Sequence, residues 1–328
     1  MLSAQTIMKA IIYKKYGSPD VLELTEMKKP VPKSKEVLVK VIATAVNRTD
    51  CAILRGKPFV MRFFTGLLKP TRLVQGTEFS GEIEAVGSEV LNFKVGDRVF
   101  GFDDLGVMAH AGYLIISEDG PIAEMPGNID YKHAAAVEGA HYALNFLNKV
   151  NVKQGQRVLV NGAAGGIGSA MVQLLKYQGA HVTATCDTKN IDLLITIGAD
   201  KVIDYTVVDF TKSNQQFNYV FDAAGKSSFT KCKPLLKPGG VYISSEMGEH
   251  CSNLFLALWT PLLRNKKVVF PIPFNCKKSV LFIKKLTEEG KFKAVIDREY
   301  TLGNIAEAYR YVEKGYKSGN VIINLSAN

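Results

Sequence analysis

A short glycine-rich segment constrains the fold of this chain more than any other feature of its sequence. Residues 162–168 read Gly-Ala-Ala-Gly-Gly-Ile-Gly, directly after the strand-like run 158–161 and before a predicted helix, 169–178. Such a glycine pattern is informative in this strand–turn–helix setting. Glycines permit a tight turn and let the backbone approach a pyrophosphate, which the N–H groups at the helix start attract. The segment therefore predicts a dinucleotide-binding β-α-β unit.

The next strand-like run, 181–186, bears on which dinucleotide binds. A carboxylate at the end of this strand would hold a ribose 2′-hydroxyl, whereas a neutral or basic end accepts a 2′-phosphate. Asp187 lies near the expected spacing, so NAD stays an alternative. Thr185 at the strand tip, with Lys189 and Tyr205 nearby, favours NADP.

The remainder of the chain divides into two regions that differ in predicted secondary structure, as expected for two domains in 328 residues. Residues 8–130 carry short apolar runs closed by glycine and are predicted to be β-rich. From residue 131, an alanine-rich stretch predicted to form one helix, 133–150, is followed by alternating predicted strands and helices, which indicate an α/β fold with a doubly wound parallel sheet. After residue 265 we predict two helices and a last strand, at 279–289, 305–313 and 320–324.

Composition and charge exclude several classes of protein. Five cysteines lie far apart without a CxxC pair, which predicts reduced thiols and neither a disulfide frame nor a cysteine-rich zinc lobe. No apolar run is long enough to span a bilayer and no secretion signal is recognisable, so we expect a cytoplasmic protein. The net charge is +10, but the lysines are scattered. This pattern favours a basic solvated surface over a specific nucleic-acid site.

The order of short motifs along the chain resembles that of the medium-chain dehydrogenase/reductase superfamily. Within it, the similarity is to the zinc-free quinone oxidoreductase branch, which includes plant chloroplast-envelope homologues. The resemblance extends over nearly the whole chain from Met8. Its motifs lie at 16–22, 47–50, 76–81, 95–99, 156–168, 181–186, 198–205, 221–222 and 237–240.

The resemblance implies a domain organisation, a cofactor site and an assembly. It implies a GroES-like catalytic domain at 1–130, a Rossmann domain at 131–265 and a return to the catalytic domain at 266–328. Homodimers are usual in the superfamily. The expected cofactor contacts are Gly162, Ala164, Gly165, Gly166, Ile167, Gly168, Thr185, Lys189, Tyr205, Ala224 and Asn320.

The resemblance also argues against a metal. Zinc-dependent relatives carry Cys where this chain has Asn47 and His where it has Thr77, and their third ligand position falls near Glu138. One carboxylate cannot build a tetrahedral zinc site. Without that Lewis acid, hydride transfer to an already polarised quinone or enone is favoured, because hydrogen-bond donors can stabilise the oxyanion that forms.

Three residues are the candidates for catalysis. Asn47 and Asp50 match the NxxD pattern of the branch and are predicted to shape the floor of the substrate pocket, with ordinary loop capping as the alternative. Tyr142 is a candidate hydrogen-bond donor to the oxyanion. His141 could donate instead, or could be a packed structural residue. The chain departs from its relatives around these two positions.

The segment 55–73 is both basic and apolar. It contains five basic residues and no acidic one among many large apolar side chains. One interpretation is a loop that packs its apolar side chains into its own domain. The other is a cationic, apolar mouth that suits a lipophilic substrate or a peripheral contact with a membrane surface.

Three functions are consistent with these features. The first is an NADPH-dependent reductase of quinones or α,β-unsaturated carbonyls. The second is a reductase or dehydrogenase of simple aldehydes, ketones or alcohols on the same fold. The third is an NADPH-binding protein with a non-catalytic or nucleic-acid-binding role, although no aromatic-interleaved basic patch supports it.

Overall fold

The computed structural model describes residues 6–244, 246–248, 252–263, 265–272 and 274–326. The chain forms two compact units. Unit 1 comprises Met1–Glu138, Asn275–Glu289 and Ala294–Asn328, and unit 2 comprises Gly139–Phe274 and Gly290–Lys293. The domain limits expected from the sequence, 1–130, 131–265 and 266–328, stay a prediction.

Unit 1 is built on β-strands. A two-stranded antiparallel sheet pairs β1 (Ile7–Ile12) with β2 (Glu23–Lys28). A seven-stranded sheet contains β3 (Glu36–Val46), β4 (Glu78–Val86), β5 (Arg98–Phe102), β6 (Tyr113–Ser117), β7 (Ile122–Glu124), β14 (Ile296–Thr301) and β15 (Asn320–Asn324). Its order is β14-β15-β3-β4-β5-β7, with β6 also paired to β3. Only the β14–β15 pair is parallel among these described strands.

Unit 1 contains five described α-helices. They are α1 (Arg48–Arg55), α2 (Arg62–Thr65), α3 (Tyr131–Ala134), α9 (Cys276–Glu288) and α10 (Ile305–Glu313). The helix α10 buries Ile305, Ala308, Tyr309 and Val312, whose spacing of three and four residues places them on one face. That face packs against Leu54 and the apolar side chains of β15 in one core cluster.

Unit 2 is a parallel sheet with helices between its strands. The strands are β8 (Arg157–Asn161), β9 (His181–Cys186), β10 (Lys201–Asp204), β11 (Phe217–Asp222), β12 (Leu236–Ser244) and β13 (Lys267–Val269). The helices are α4 (Glu138–Leu147), α5 (Gly166–Tyr177), α6 (Ile191–Thr196), α7 (Phe229–Cys232) and α8 (Ser252–Trp259). The strand order is β10-β9-β8-β11-β12-β13, and every pair is parallel. The predicted doubly wound sheet is therefore confirmed.

This strand order determines where a ligand can bind in unit 2. The connections run to one side of β8 through β9 and β10, and to the other side through β11, β12 and β13. A crevice opens where the order reverses, at the carboxyl ends of β8 and β11. The segment 162–168 follows β8 directly.

One predicted helix is wrong in its extent. The alanine-rich stretch 133–150 was expected to form one helix, but the structure has α3 and α4 with a break at 135–137. The carboxylate of Glu78 accepts hydrogen bonds from the N–H groups of Val137 and Glu138, at 2.6 and 2.7 Å. A new helix therefore begins at Glu138, because the distant Glu78 side chain accepts hydrogen bonds from the backbone N–H groups at the start of that helix. Within the described residues, none of the helices could cross a membrane by length and apolarity.

Candidate active site

The glycine segment of unit 2 forms a turn that larger residues could not adopt. Gly162 has a φ of +72°, and a Cβ there would lie 2.5 Å from the Cβ of Ala224. A Cβ at Gly168 would lie 2.2 Å from the carbonyl oxygen of Gly162. Both distances are far shorter than a van der Waals contact, so the tight turn requires glycine at both positions.

The start of α5 presents unsatisfied backbone donors. Gly165 is the N-cap residue, and the N–H of Ser169 donates to its carbonyl at 2.8 Å. The N–H groups of residues 166–168 precede this first helical bond, so they have no acceptor within the helix. Gly139 packs on the same turn, because a Cβ there would lie 2.5 Å from the carbonyl oxygen of Gly166. This cradle fits the pyrophosphate of a nicotinamide dinucleotide.

The residues predicted to contact the adenosine ribose lie in two environments. Thr185 is fully buried, and its hydroxyl donates to Asn161 Oδ1 at 2.7 Å. Its Oγ1 also accepts from the N–H of Gly162 at 3.2 Å, so Thr185 supports the turn from below. Lys189 lies beyond β9 with an exposed side chain, its Nζ 3.7 Å from Asp187 Oδ2. Tyr205 follows β10 and is 48% exposed.

Asp222 organises the second edge of this crevice and was missed as a site residue. It is fully buried at the end of β11. One carboxylate oxygen accepts from Asn161 Nδ2 at 2.9 Å and from the N–H of Gly225 at 3.0 Å. The other accepts from the Tyr242 hydroxyl at 2.9 Å and from the N–H of Ser227 at 3.0 Å. The sequence contains a signal for this role, namely an acidic residue at the end of an apolar strand. A carboxylate buried there requires hydrogen-bond donors.

Unit 1 brings the two NxxD residues together in a capping box at the start of α1. Asn47 Oδ1 accepts from the N–H of Asp50 at 2.9 Å, and Asp50 Oδ2 accepts from the N–H of Asn47 at 3.0 Å. Both residues are buried. Loop capping, the alternative left open by the sequence, therefore describes their local geometry. A part in catalysis stays a prediction.

The side chain of Asn47 also joins a buried polar cluster, which we define as Asn47, Asp50, Thr77, Glu78 and Glu138. Asn47 Nδ2 donates to Thr77 Oγ1 at 2.7 Å and to Glu78 Oε1 at 3.1 Å. Thr49 donates its hydroxyl to Glu138 Oε1 at 2.7 Å. All five members of the cluster are buried.

The electrostatics of this cluster favour protonated carboxyl groups. Burial, followed by the charge of Glu138, raises the pKa of Glu78 to about 7. Burial likewise raises the pKa of Asp50 well above its ordinary range and raises that of Glu138. Burial lowers the pKa of Lys317, the nearby cation. Desolvation is the main cause in each case, because it disfavours the charged form.

The donor set at the two zinc-ligand positions does not fit zinc. Asn47 offers an amide and Thr77 a hydroxyl, and these groups are bonded to each other. Tetrahedral zinc sites in proteins use thiolates, imidazoles and carboxylates. We therefore derive no catalytic step through a metal at this position.

The two candidate donors on α4 differ in exposure. His141 is fully buried, and Asn145 Nδ2 lies 3.2 Å from its Nε2. Tyr142 is half-buried, and its ring meets that of His141 edge-on with centroids 5.7 Å apart. Burial assigns His141 to the packed interior, the structural alternative foreseen from the sequence. Of the two, Tyr142 has the more exposed side chain, and its part in catalysis stays a prediction.

Asn320 belongs to a different unit from the other predicted cofactor contacts. It begins β15 in unit 1, whereas the glycine turn, Lys189 and Ala224 belong to unit 2. Its side-chain amide donates to the carbonyl of Val295 at 2.9 Å. Contact between Asn320 and a cofactor stays a prediction.

Comparisons with known proteins agree with this architecture. Residues 33–125 match the family described as alcohol dehydrogenase GroES-like domain, and residues 197–323 match that described as zinc-binding dehydrogenase. The chain is 32% identical to the chloroplastic quinone-oxidoreductase homolog of Spinacia oleracea, over 98% of this chain and 99% of that protein. It is also 32% identical to the chloroplastic NADPH-dependent alkenal/one oxidoreductase of Arabidopsis thaliana, over 96% and 79% of the two chains.

A solved structure shows the same fold. The quinone oxidoreductase from Coxiella burnetii superposes with a TM-score of 0.83 at 27% identity, covering 98% of this chain and all of the other. The chain therefore belongs to the medium-chain dehydrogenase/reductase superfamily, as its motifs predicted. Within that superfamily it groups with the quinone oxidoreductase homologues and is an NAD(P)H-dependent oxidoreductase. The predicted GroES-like domain and Rossmann sheet are confirmed.

Proposed function

We propose that this protein is an NADPH-dependent, zinc-independent reductase of quinones and α,β-unsaturated carbonyl compounds. The observation that carries the proposal is the combination of a complete phosphate-binding turn with zinc-ligand positions occupied by an amide and a hydroxyl. The names of two relatives, quinone-oxidoreductase homolog and NADPH-dependent alkenal/one oxidoreductase, support the substrate class. An acceptor of this class is already polarised and needs no Lewis acid.

Each group of residues has a role in this proposal. The backbone N–H groups of 166–168 bind the pyrophosphate, and Thr185 supports the turn from below. Lys189 pairs with the 2′-phosphate, while its partner Asp187 is also held by the Asn190 amide. When bound, NADPH supplies the hydride. Tyr142 donates a hydrogen bond to the acceptor oxygen, where negative charge develops.

In unit 1, Asn47 and Asp50 act as positioning residues in this proposal. Their capping box sets where α1 begins, and Asn47 ties that point to Thr77 and Glu78. Thr49, the second residue of α1, is thereby held against Glu138. In this proposal the buried polar cluster shapes the floor of the substrate pocket. Asn47 takes no direct part in the chemistry.

The proposal is tested by turnover with three acceptors. NADPH oxidation is measured with a quinone, an enone and a simple aldehyde, before and after dialysis against a chelator. We expect turnover with the first two acceptors, no stoichiometric zinc by elemental analysis and no loss of activity on dialysis. One zinc per chain together with loss of turnover on chelation would overturn the zinc-independent assignment. Turnover with the aldehyde alone would overturn the substrate class.

We also propose a homodimer formed through unit 2. Among the described strands, β13 pairs only with β12, so it lies at an edge of the six-stranded sheet. Beside it, α8 and the following turn expose Phe255, Leu258, Trp259 and Leu262. An edge strand and a contiguous apolar surface are features that a second copy can cover about a two-fold axis.

A reducing compartment fits the state of the cysteines. The four described cysteines, Cys51, Cys186, Cys232 and Cys276, are free thiols. Burial raises the pKa of Cys186 and Cys232 to about 11, which keeps these thiols protonated and unreactive. We therefore propose the cytoplasm as the place of action.

A further inference from the structure

The basic apolar segment 55–73 exposes its large side chains instead of burying them. Its two short helical turns are Phe59–Met61 and α2. Phe63 and Phe64 are 68% and 65% exposed, and Leu68 is 90% exposed. Phe59, Val60, Leu67 and Leu73 are also exposed. The interpretation that this loop packs its apolar residues into its own domain is therefore wrong for these side chains.

Polar contacts hold the segment on unit 1. The Tyr16 hydroxyl donates to the carbonyl of Gly66 at 2.6 Å and lies 2.8 Å from Thr65 Oγ1. The Arg62 guanidinium stacks over the Tyr16 ring, 4.6 Å from its centroid. The N–H of Thr71 donates to the carbonyl of Thr65 at 2.9 Å. The loop is thus stabilised by inward polar groups.

The charge within this segment has one sign. No acidic residue occurs between Asp50 and Glu78. Lys57 and Lys69 are exposed, and Arg72 is exposed while it donates to the carbonyl of Leu105 at 3.0 Å, a neutral acceptor. Among the described contacts of this segment, only the Arg55 side chain is paired with a carboxylate, and that carboxylate belongs to Glu313. The patch therefore keeps a net positive charge.

We propose that this segment binds the surface of an anionic lipid bilayer. The outward phenylalanine and leucine side chains enter the boundary between headgroups and acyl chains, and Lys57 and Lys69 contact anionic headgroups. Exposed aromatic and leucine side chains beside cations are what interfacial binding requires. The chain as a whole carries a net charge of +10, which adds a long-range attraction to such a surface. This inference does not depend on the proposed enzymatic activity.

The test is co-sedimentation of the full chain with vesicles of phosphatidylcholine, with or without phosphatidylglycerol. We expect binding to the anionic vesicles that weakens as salt is added. The double variant Phe63→Ser/Leu68→Ser should bind about tenfold more weakly or worse, since two buried apolar side chains are lost. Lys57→Glu/Lys69→Glu should also weaken binding.

Control variants at other exposed positions distinguish binding through this segment from nonspecific binding to vesicles. Leu91 is 89% exposed on the same unit, so Leu91→Ser should leave vesicle binding unchanged. Lys94→Glu is the corresponding charge control, since the Lys94 side chain is 86% exposed. Absence of binding to anionic vesicles, or equal losses in the control variants, would overturn the proposal. A change in self-association of Phe63→Ser/Leu68→Ser without vesicles, with vesicle binding intact, would assign the patch to protein contact instead.

Discussion

At the scale of single residues, Lys189 and Asp187 are the two alternatives for the residue that distinguishes NADPH from NADH in our proposal. We expect Lys189→Ala to weaken NADPH binding about tenfold or more and to leave NADH nearly unchanged, because a charged hydrogen bond to phosphate contributes about 1.5–3 kcal/mol. Titration calorimetry with both nucleotides measures this difference. Lys212→Ala, an exposed lysine elsewhere on unit 2, is the control. Equal losses for both nucleotides would show that Lys189 does not read the phosphate, and tighter wild-type binding of NADH would point to Asp187.

Tyr142 is the residue on which the proposed chemistry depends. Tyr142→Phe keeps the ring and its edge-on contact with His141 but removes the hydroxyl. Loss of one donor to an oxyanion typically lowers kcat by about 10²- to 10³-fold. The decrease should be larger for an enone than for a quinone, which accepts hydride with less assistance. Wild-type rates with both acceptors would remove Tyr142 from the mechanism.

At the scale of elements, the junction of β8 and α5 depends on its glycines. In Gly168→Ala the new methyl group meets the carbonyl oxygen of Gly162, a backbone atom that cannot move freely. We expect a lower melting temperature and at least about a tenfold loss of NADPH affinity, since the turn must deform. Gly127→Ala, on unit 1, is the control. A Cβ there would meet no described heavy atom within 4 Å. Similar behaviour of the two variants would contradict the steric argument.

The burial of Glu78 beside the charge of Glu138 makes stability depend on pH. Its pKa rises from 4.5 to about 7 on folding, so between these values the folded state binds more protons than the unfolded state. The contribution of Glu78 to stability is therefore full in acid and is lost as the pH rises through about 7.

Unfolding of wild type and Glu78→Gln in urea, compared from about pH 5 to about pH 8, measures this contribution. We expect the stability of wild type relative to the variant to fall on the order of 1–3 kcal/mol over that range. Glu89→Gln alters an exposed carboxylate and should keep the wild-type pH dependence. A pH-independent difference between wild type and Glu78→Gln would contradict a raised pKa at this position.

At the scale of the whole molecule, the apolar surface beside β13 predicts the oligomeric state. Light scattering after size-exclusion chromatography should give twice the chain mass of 36.0 kDa. The double variant Trp259→Glu/Leu262→Glu should elute as a monomer, since two charges would be buried in the interface. Leu91→Glu, on unit 1, should remain dimeric. A wild-type monomer at all concentrations would refute the proposed interface.

Local features of the sequence determined the class of this protein. The turn at 162–168 depends on backbone conformation and close approach within a few residues, so its glycines can be recognised without the fold. The alternation of strands and helices after residue 131 likewise predicted a parallel sheet, because short connections leave few topologies. The observed bounds of β9, α10 and β15 are those predicted from the sequence, because local patterns also mark these elements.

Contacts between distant segments were decided only by the tertiary structure. Thr185 was expected at the tip of β9 facing a phosphate, but the neighbouring β8 places its hydroxyl against Asn161. Glu78 starts a helix 60 residues further along the chain, and Asp222 joins the side chains of Asn161 and Tyr242, which lie 61 and 20 residues away. The segment 55–73 could be read as packed or exposed from its residues alone. Tyr16, which lies far from it in sequence, holds its polar groups inward and leaves its apolar side chains in solvent.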